Sequence, residues 1–126
     1  MSFYSRQIAL MRQHLPKQEA IDAVIRARRL MDEQCSEAID VDAMARAACL
    51  SSFHFIRLFK RCYGRTPHQL LTEARIKEAK RLLLQGSSVE SACFKAGFTS
   101  VTSFATLFRR HTGRAPSVWR KMSNFR

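Results

Sequence analysis

The sequence predicts an all-α protein of about seven helices, in which two small helical units are joined by one long helix, with a possible further helix or arm at the N-terminus. Three observations support this fold class: apolar residues recur at helical spacing, one block of sequence occurs twice, and an uninterrupted helical pattern lies between the two copies. We expect an N-terminal arm or helix over 1–19, a first unit over 20–66, a linker helix over 67–85 and a second unit over 86–126.

The repeated block is the clearest feature of the sequence. "SSFHFIRLFKRCYGRTPHQLL", which begins at Ser51, resembles "VTSFATLFRRHTGRAPSVWR", which begins at Val101. At an offset of 49 residues the matched pairs include Phe55 and Phe104, Leu58 and Leu107, Phe59 and Phe108, Gly64 and Gly113, Arg65 and Arg114, and Pro67 and Pro116. Further upstream the offset is 48, which matches Ala48 with Ala96 and Leu50 with Phe98. One structural unit is therefore used twice, and the second copy has one extra residue near a turn or a helix start, where it disturbs no packed face.

The first copy predicts two short helices separated by a tight turn. Asp40 is a candidate N-cap for the first helix, and a break follows at Cys49. The sequence leaves open whether Cys49 has the positive φ that a turn glycine adopts easily. The apolar stripe of the first helix is Val41, Met44, Ala45 and Ala48, and that of the second helix is Phe55, Leu58, Phe59 and Cys62.

The second copy repeats this arrangement. Ser87 or Ser88 opens its first helix, and Gly97 begins the turn, which continues through Phe98 and Thr99. Its two apolar stripes are Val89, Ala92, Cys93 and Ala96, and then Phe104, Leu107, Phe108 and His111.

A helix, a short turn and a second helix form the helix-turn-helix pattern, whose second helix enters the major groove of DNA in many binding proteins. The charge agrees with such a role, because 22 Lys and Arg residues against 10 acidic residues give a net charge of +12 and favour an extended polyanion as partner. Opposite the apolar stripe of the first copy's second helix lies an arc of about 120°. It contains Phe53, His54, Arg57, Lys60 and Arg61, and the matching arc of the second copy contains Thr102, Ser103, Thr106, Arg109 and Arg110.

The segment between the two units reads as one helix over 67–85. Thr66 and Pro67 form a suitable start, and Gly86 a suitable end. Its inner stripe is Leu71, Ala79, Leu82 and Leu83. A helix of this length spans about 28 Å, which approaches the roughly 34 Å of one duplex turn. The linker could therefore present two reading helices to successive major-groove segments, at an asymmetric site, because tandem copies lack the two-fold axis of a dimer.

These residues resemble the AraC/XylS family of transcription regulators, whose DNA-binding module has two helix-turn-helix units joined by a long helix. The resemblance covers about 21–122 and is most specific over "KAGFTSVTSFATLFRRHTGRAPSVWR". It implies base contacts at Phe53, Ile56 and Arg57, with Arg57 as the principal reader. Phe53 could either contact a thymine methyl group or cover the helix as a half-buried ring, and Ile56 is better suited to packing than to reading bases. Some members have arginine where this chain has Thr106, which leaves base reading by the second unit open.

The charge pattern and the resemblance together give a set of expected DNA contacts. The two parallel N–H donors of an arginine side chain can bind O6 and N7 of a guanine, whereas cations and hydroxyls near helix ends more often bind phosphates. We expect base contacts from Phe53, His54, Ile56, Arg57, Thr102, Ser103 and Thr106, and phosphate contacts from Ser51, Lys60, Arg61, Thr99, Arg109 and Arg110.

The resemblance also implies partners and a mode of control. Such regulators commonly activate transcription by placing RNA polymerase at a promoter, and some repress it. The chain is similar to the stand-alone monomeric members, although it could also be the DNA-binding fragment of a larger effector-responsive regulator. We expect apolar residues of the N-terminal arm to dock on the first unit in preference to serving as an interaction arm. These residues are Phe3, Ile8, Leu10 and Met11.

Other classes of protein fit the sequence less well. The four cysteines lack metal-binding or disulfide spacing and are expected to be reduced core residues, which indicates the cytoplasm. The N-terminus lacks a secretion signal and no run could cross a bilayer, so a soluble protein without membrane contact is expected. We expect neither a cofactor nor enzymatic activity, because the four histidines are scattered and His111 suits a core or capping role. The main alternative is a basic nucleoid or RNA-binding protein that is indifferent to sequence.

Overall fold

The computed structural model describes residues 17–123, which form seven α-helices and no strand, so the all-α prediction is confirmed for this part of the chain. The helices are α1 (Lys17–Gln34), α2 (Val41–Ala47), α3 (Ser52–Tyr63), α4 (Pro67–Leu84), α5 (Val89–Lys95), α6 (Val101–Thr112) and α7 (Pro116–Ser123). Residues 17–19 of the expected arm are the first turn of α1. The apolar residues expected to dock on the first unit lie outside the described residues.

Two compact units divide the described chain. The first contains residues 17–30 and 39–68, and the second contains 31–38 and 69–123. Most of the predicted linker helix is thus part of the second unit, together with the end of α1.

In the first unit, α2 and α3 form the predicted helix-turn-helix. The Asp40 side chain accepts a hydrogen bond from the Asp42 N–H at 2.9 Å and so caps α2, as predicted. The turn closes through the Cys49 N–H to the Arg46 carbonyl and the Leu50 N–H to the Ala45 carbonyl. Cys49 has a φ of 59°, so this side chain occupies the left-handed region usually left to glycine.

The core of the first unit depends on the inner side of α3. Phe55 and Phe59 are fully buried, and their ring centroids lie 5.8 Å apart. Tyr63 continues this row, with its ring centroid 4.9 Å from that of Phe59. Aromatic rings bury a large apolar area, so the two phenylalanines fix the orientation of α3 about its own axis.

The second unit repeats this construction. The Ser88 hydroxyl caps α5 by accepting a hydrogen bond from the Ser91 N–H at 3.1 Å. Phe104 and Phe108 are fully buried on α6, and the Trp119 ring of α7 meets the Phe108 ring edge-on with centroids 5.5 Å apart. The α4 residues that pack into the same core are Ile76, Ala79, Leu82 and Leu83.

The predicted linker helix is continuous and ends one residue earlier than expected, at Leu84. The Gly86 N–H donates to the Leu83 carbonyl and the Ser87 N–H to the Leu82 carbonyl, while Gly86 has a φ of 99°. This is the helix ending that glycine favours. The predicted inner stripe is confirmed, because Leu71, Ala79, Leu82 and Leu83 are all buried.

Two predicted core positions were wrong. Cys62 and His111, which occupy matching places in α3 and α6, are both exposed. Each has the angular position of the apolar stripe but lies in the last turn of its helix. The core beyond Phe59 is continued by Tyr63, and that beyond Phe108 by Trp119 from another helix.

The prediction that all four cysteines are core residues was also only half right. Cys35 and Cys93 are buried, whereas Cys49 and Cys62 are exposed. Burial raises the pKa of the Cys35 and Cys93 thiols, which keeps both in the unreactive protonated form at neutral pH.

The α5–α6 turn approaches the end of α1 closely, inside the second unit. The Arg75 Nε donates to the Cys35 carbonyl at 2.7 Å, and its Nη2 donates to the Glu37 carbonyl at 3.1 Å. A Cβ added to Gly97 would lie 2.7 Å from the Cys35 carbonyl oxygen and 2.9 Å from the Arg75 Nε. Gly97 also has a φ of 105°. This position therefore requires glycine for two independent reasons.

We predict that Gly97→Ala lowers the free energy of unfolding by about 2 to 5 kcal/mol, because a left-handed backbone costs about 1–2 kcal/mol and overpacking adds about 1–3 kcal/mol. Gly113→Ala is the matched control. Its φ is 83° and nothing lies within 4 Å of its added Cβ, so only the backbone cost applies. Denaturant titration measures both losses, and equal losses would show that the close approach at Gly97 is unimportant.

Candidate nucleic-acid interface

The second helix of each unit, α3 and α6, is called here a recognition helix, and the two begin and end alike. The Ser51 hydroxyl accepts a hydrogen bond from the His54 N–H at 3.1 Å, and the Ser100 hydroxyl accepts one from the Ser103 N–H at 3.2 Å. Each helix is 12 residues long and closes on a glycine in the left-handed conformation. Because the two helices have the same length and the same cap residues, each outward residue of α3 has one counterpart in α6.

The outward side of α3 carries the residues that the sequence analysis placed there. Phe53, His54, Arg57, Lys60 and Arg61 are all exposed, and together they define the first outer face. The helix contains no acidic residue. Within residues 17–123, the charged groups of Arg57, Lys60 and Arg61 form no ion pair and no hydrogen bond, so their donors are available to an anionic partner.

The Arg57 side chain has a defined neighbour on this face. Its guanidinium carbon lies 5.4 Å from the centroid of the Phe53 ring, within the range of a cation–π contact. Phe53 is 71% exposed. The expectation of a half-buried Phe53 ring is therefore wrong, because the side chain stands on the surface one helical turn before Arg57.

The second outer face has the same layout with different chemistry. Thr102, Ser103, Thr106, Arg109 and Arg110 are all exposed on α6. The Thr106 Oγ1 donates to the Thr102 carbonyl at 3.1 Å, so the hydroxyl proton is already bonded within its own helix. Thr106 is left with its methyl group and an acceptor lone pair facing outward. At the position of Arg57, the second recognition helix therefore has a short residue with no free donor.

The remaining predicted contact residues lie near the helix starts or between the faces. Ser51 is half-buried and its oxygen caps α3, which leaves the hydroxyl proton free to donate to a phosphate. Thr99 is exposed in the turn just before Ser100. Ile56 is half-buried, in agreement with packing as its main role. The base and phosphate contacts of all these residues stay predictions.

The sequence did not identify Ser100 as the N-cap of α6. The turn was placed at 97–99, and the signal that could have identified the cap is the match of Ser100 to Ser51 at the offset of 49. The extra residue of the second copy is therefore Thr99, which lengthens the turn without moving the cap relative to its helix.

Metal sites and membrane-spanning helices were also considered for the described residues. Among residues 17–123, no group of three or more His, Cys, Asp and Glu side chains could hold a metal ion. The helices in that range also include none with the length and apolar character needed to cross a membrane.

Comparison with known proteins agrees with the repeated architecture. Residues 44–122, more than half of the chain, match the family model described as a helix-turn-helix domain. The DNA-binding domain of AdpA, solved in complex with a target DNA, is 30% identical with a TM-score of 0.74, and the match covers 79% of this chain and 90% of that one. A probable AraC family transcriptional regulator from Rhodopseudomonas palustris shares the fold, with 22% identity, a TM-score of 0.73 and coverage of 80% and 96%.

The chain belongs to the AraC/XylS family. The family match begins at Met44 within α2 and ends at Met122 within α7, so this AraC/XylS chain has both recognition helices inside the matched region. The bifunctional transcriptional activator and DNA repair enzyme AdaA of Bacillus subtilis is 26% identical over 110 residues. That match covers 86% of this chain but only 51% of AdaA, so the AraC/XylS chain spans about half the length of this relative.

We predict that Ser100→Ala lowers the free energy of unfolding by about 1 kcal/mol, because the first turn of α6 loses the oxygen that satisfies the Ser103 N–H. Ser103→Ala is the control, since it removes an exposed hydroxyl from the same turn and keeps the cap. Thermal or denaturant unfolding followed by circular dichroism measures both. If the two variants were equally stable, the cap would not matter to this AraC/XylS fold.

Proposed function

We propose that the chain is a transcription regulator that binds a specific, asymmetric sequence of double-stranded DNA, with α3 and α6 in successive segments of the major groove. The observation that carries this proposal is the pair of outer faces. Both stand on helices of 12 residues that begin at a serine cap and end at a left-handed glycine, all of their residues are exposed, and neither helix contains an acidic residue. The similarity to the AdpA domain, which was solved with a target DNA, supports DNA as the ligand.

The proposal requires two reading helices that reach grooves about one duplex turn apart. The 18 residues of α4 form an unbroken helix, which corresponds to about 27 Å of length. One duplex turn is roughly 34 Å. A helix of this length supports reading by a single chain, and we propose that the protein acts as a monomer on its site.

The two faces have different proposed tasks. Arg57 can donate two hydrogen bonds to O6 and N7 of a guanine, which gives the strongest base discrimination available to one side chain. Thr106 offers a methyl group and an acceptor at the matching position, so base reading by α6 should be weaker. Lys60, Arg109 and Arg110 lie toward the C-terminal ends of the recognition helices and are proposed to hold phosphates.

The biological act that we propose is activation of transcription through RNA polymerase in the cytoplasm. AdaA, which matches over most of this chain, is a transcriptional activator by name, and this supports the direction of control. Its second activity, DNA repair, is not proposed for this chain. The four cysteines lack the spacing of a metal centre and lie far apart in the sequence.

We predict that Arg57→Ala weakens binding to the preferred duplex by about 1 to 3 kcal/mol and removes the preference for guanine at one position, since the fork to O6 and N7 is lost. Thr106→Ala is the matched control at the same place on α6 and should change the preference profile much less. Binding to a random duplex library, read by sequencing, measures both profiles. A wild-type protein without sequence preference, or an unchanged profile for Arg57→Ala, would contradict the proposed reader.

We predict that Arg110→Ala weakens binding to all duplexes by a similar factor and reduces the slope of log affinity against log salt by about one unit, because one phosphate contact is lost. His111→Ala, at the next residue, is exposed but outside the second outer face and should leave the slope unchanged. Equilibrium titrations at several salt concentrations give the slope. A loss confined to the preferred duplex would assign Arg110 to base reading instead.

A further inference from the structure

We propose that Phe53 is a positioning residue for Arg57, whose ring holds the guanidinium in the outward arrangement from which it binds guanine. The inference rests on the proposed function and deepens it, because it names the residue that makes the first recognition helix the more discriminating one. It differs from the two roles considered for Phe53 from sequence, which were contact with a thymine methyl group and coverage of the helix.

The exposure of Phe53 calls for a reason. Seven large apolar side chains of the described chain are substantially exposed, and Phe53, at 71%, is the most exposed of them. A phenyl ring on the surface gains little from the hydrophobic effect, so its value lies in what it contacts. Its contact is Arg57, four residues later, with the guanidinium carbon 5.4 Å from the ring centroid.

Helix geometry favours this contact. Residues four apart lie on the same side of a helix, and helical side chains lean toward the N-terminus, so the Arg57 side chain extends back over the turn that contains Phe53. The contact is therefore a local property of α3 and is present before any partner arrives. An arginine that is already ordered loses less rotamer freedom when it binds.

The contact leaves the reading atoms of Arg57 unused. Within residues 17–123, the guanidinium forms no hydrogen bond and no ion pair, and the ring attracts it as a cation without taking any of its N–H donors in a conventional hydrogen bond. An acidic partner would order the side chain equally well, but it would occupy the same donors that a guanine needs. An aromatic ring orders the side chain and leaves its N–H donors available to a guanine.

The two matching positions of the second recognition helix contain no aromatic ring and no arginine. Thr102 and Thr106 take the places of Phe53 and Arg57, and the Thr106 hydroxyl donates to the Thr102 carbonyl at 3.1 Å. In α6 the hydroxyl of the second residue is thus bonded to the backbone of its own helix. In α3 the second residue is an arginine whose guanidinium is held by the ring and keeps its N–H donors unbonded. The two helices have the same length, the same cap residues and a buried phenylalanine pair at matching positions, so the two pairs of residues can be compared directly.

The test compares Phe53→Leu with Phe53→Tyr. Leucine keeps an apolar side chain but has no aromatic ring, and tyrosine keeps the ring that attracts the cation. In the free protein, proton NMR of the Arg57 side chain reports the ring through the shift that an aromatic ring imposes on nearby protons. We expect that shift to be present in the wild type and Phe53→Tyr, to be lost in Phe53→Leu, and unfolding to be unchanged in both variants.

The second readout is the preference for guanine at the position that Arg57→Ala relaxes. We expect Phe53→Leu to reduce this preference about two- to five-fold, which corresponds to an exposed cation–π contact of about 0.5–1 kcal/mol. Phe53→Tyr should retain it, and Phe53→Leu should have no further effect on that position when Arg57 is already alanine.

The outcomes separate this inference from the proposed function. If the wild type has a preferred site and Phe53→Leu keeps the full guanine preference, the positioning role is overturned alone. If Phe53→Leu changed the base preference only at a neighbouring thymine, Phe53 would contact that base directly and the positioning role would be overturned. Arg57 proton shifts that are the same in Phe53→Leu as in the wild type would overturn the positioning role too. A wild type that binds all duplexes equally would overturn the proposed function together with this inference.

Discussion

The burial of two phenylalanines on the inner side of each recognition helix is the constraint on which the rest of the structure depends. Phe55 and Phe59 in α3, and Phe104 and Phe108 in α6, have no solvent exposure. Because each pair is four residues apart, it fixes the rotation of its helix, and the residues on the opposite arc must face outward. The outer faces are thus a geometric consequence of the core, so their chemistry could diverge while the scaffold stayed the same.

The turns set where each recognition helix begins, and the two units reach the same turn in different ways. Cys49 and Gly97 both have positive φ, yet one is a cysteine and the other a glycine. In the second unit the backbone of the turn lies against the Cys35 carbonyl and the Arg75 side chain, which excludes any Cβ. Cys49 is exposed, so its side chain meets only the local backbone cost. The second copy therefore requires glycine at this position because of a tertiary contact as well as its backbone conformation, whereas the first copy accepts a cysteine at the backbone cost alone.

Local features were predictable from sequence, and features formed over long separations were not. The caps at Asp40 and Ser88, the helix spans and the inner phenylalanines follow from spacing within a few residues. Cys62 and His111 were misplaced because periodicity describes the face of a helix but does not show where along the helix its packing partners end. The hydrogen bonds of Arg75 to carbonyls about 40 residues away leave no local pattern. Both residues of the Phe53 and Arg57 pair were expected on the outer arc, but their contact depends on rotamers.

The central claim is that one chain reads two major-groove segments of the same duplex. Guanine N7 methylation protection, measured with the full chain on its preferred duplex at one protein per site, tests this most directly, because N7 lies in the major groove. The account predicts two protected segments about 10 base pairs apart on one side of the duplex, in an asymmetric sequence, with stronger protection in the segment that loses it in Arg57→Ala. A single protected segment, or a two-fold symmetric pattern that requires two chains, would contradict it.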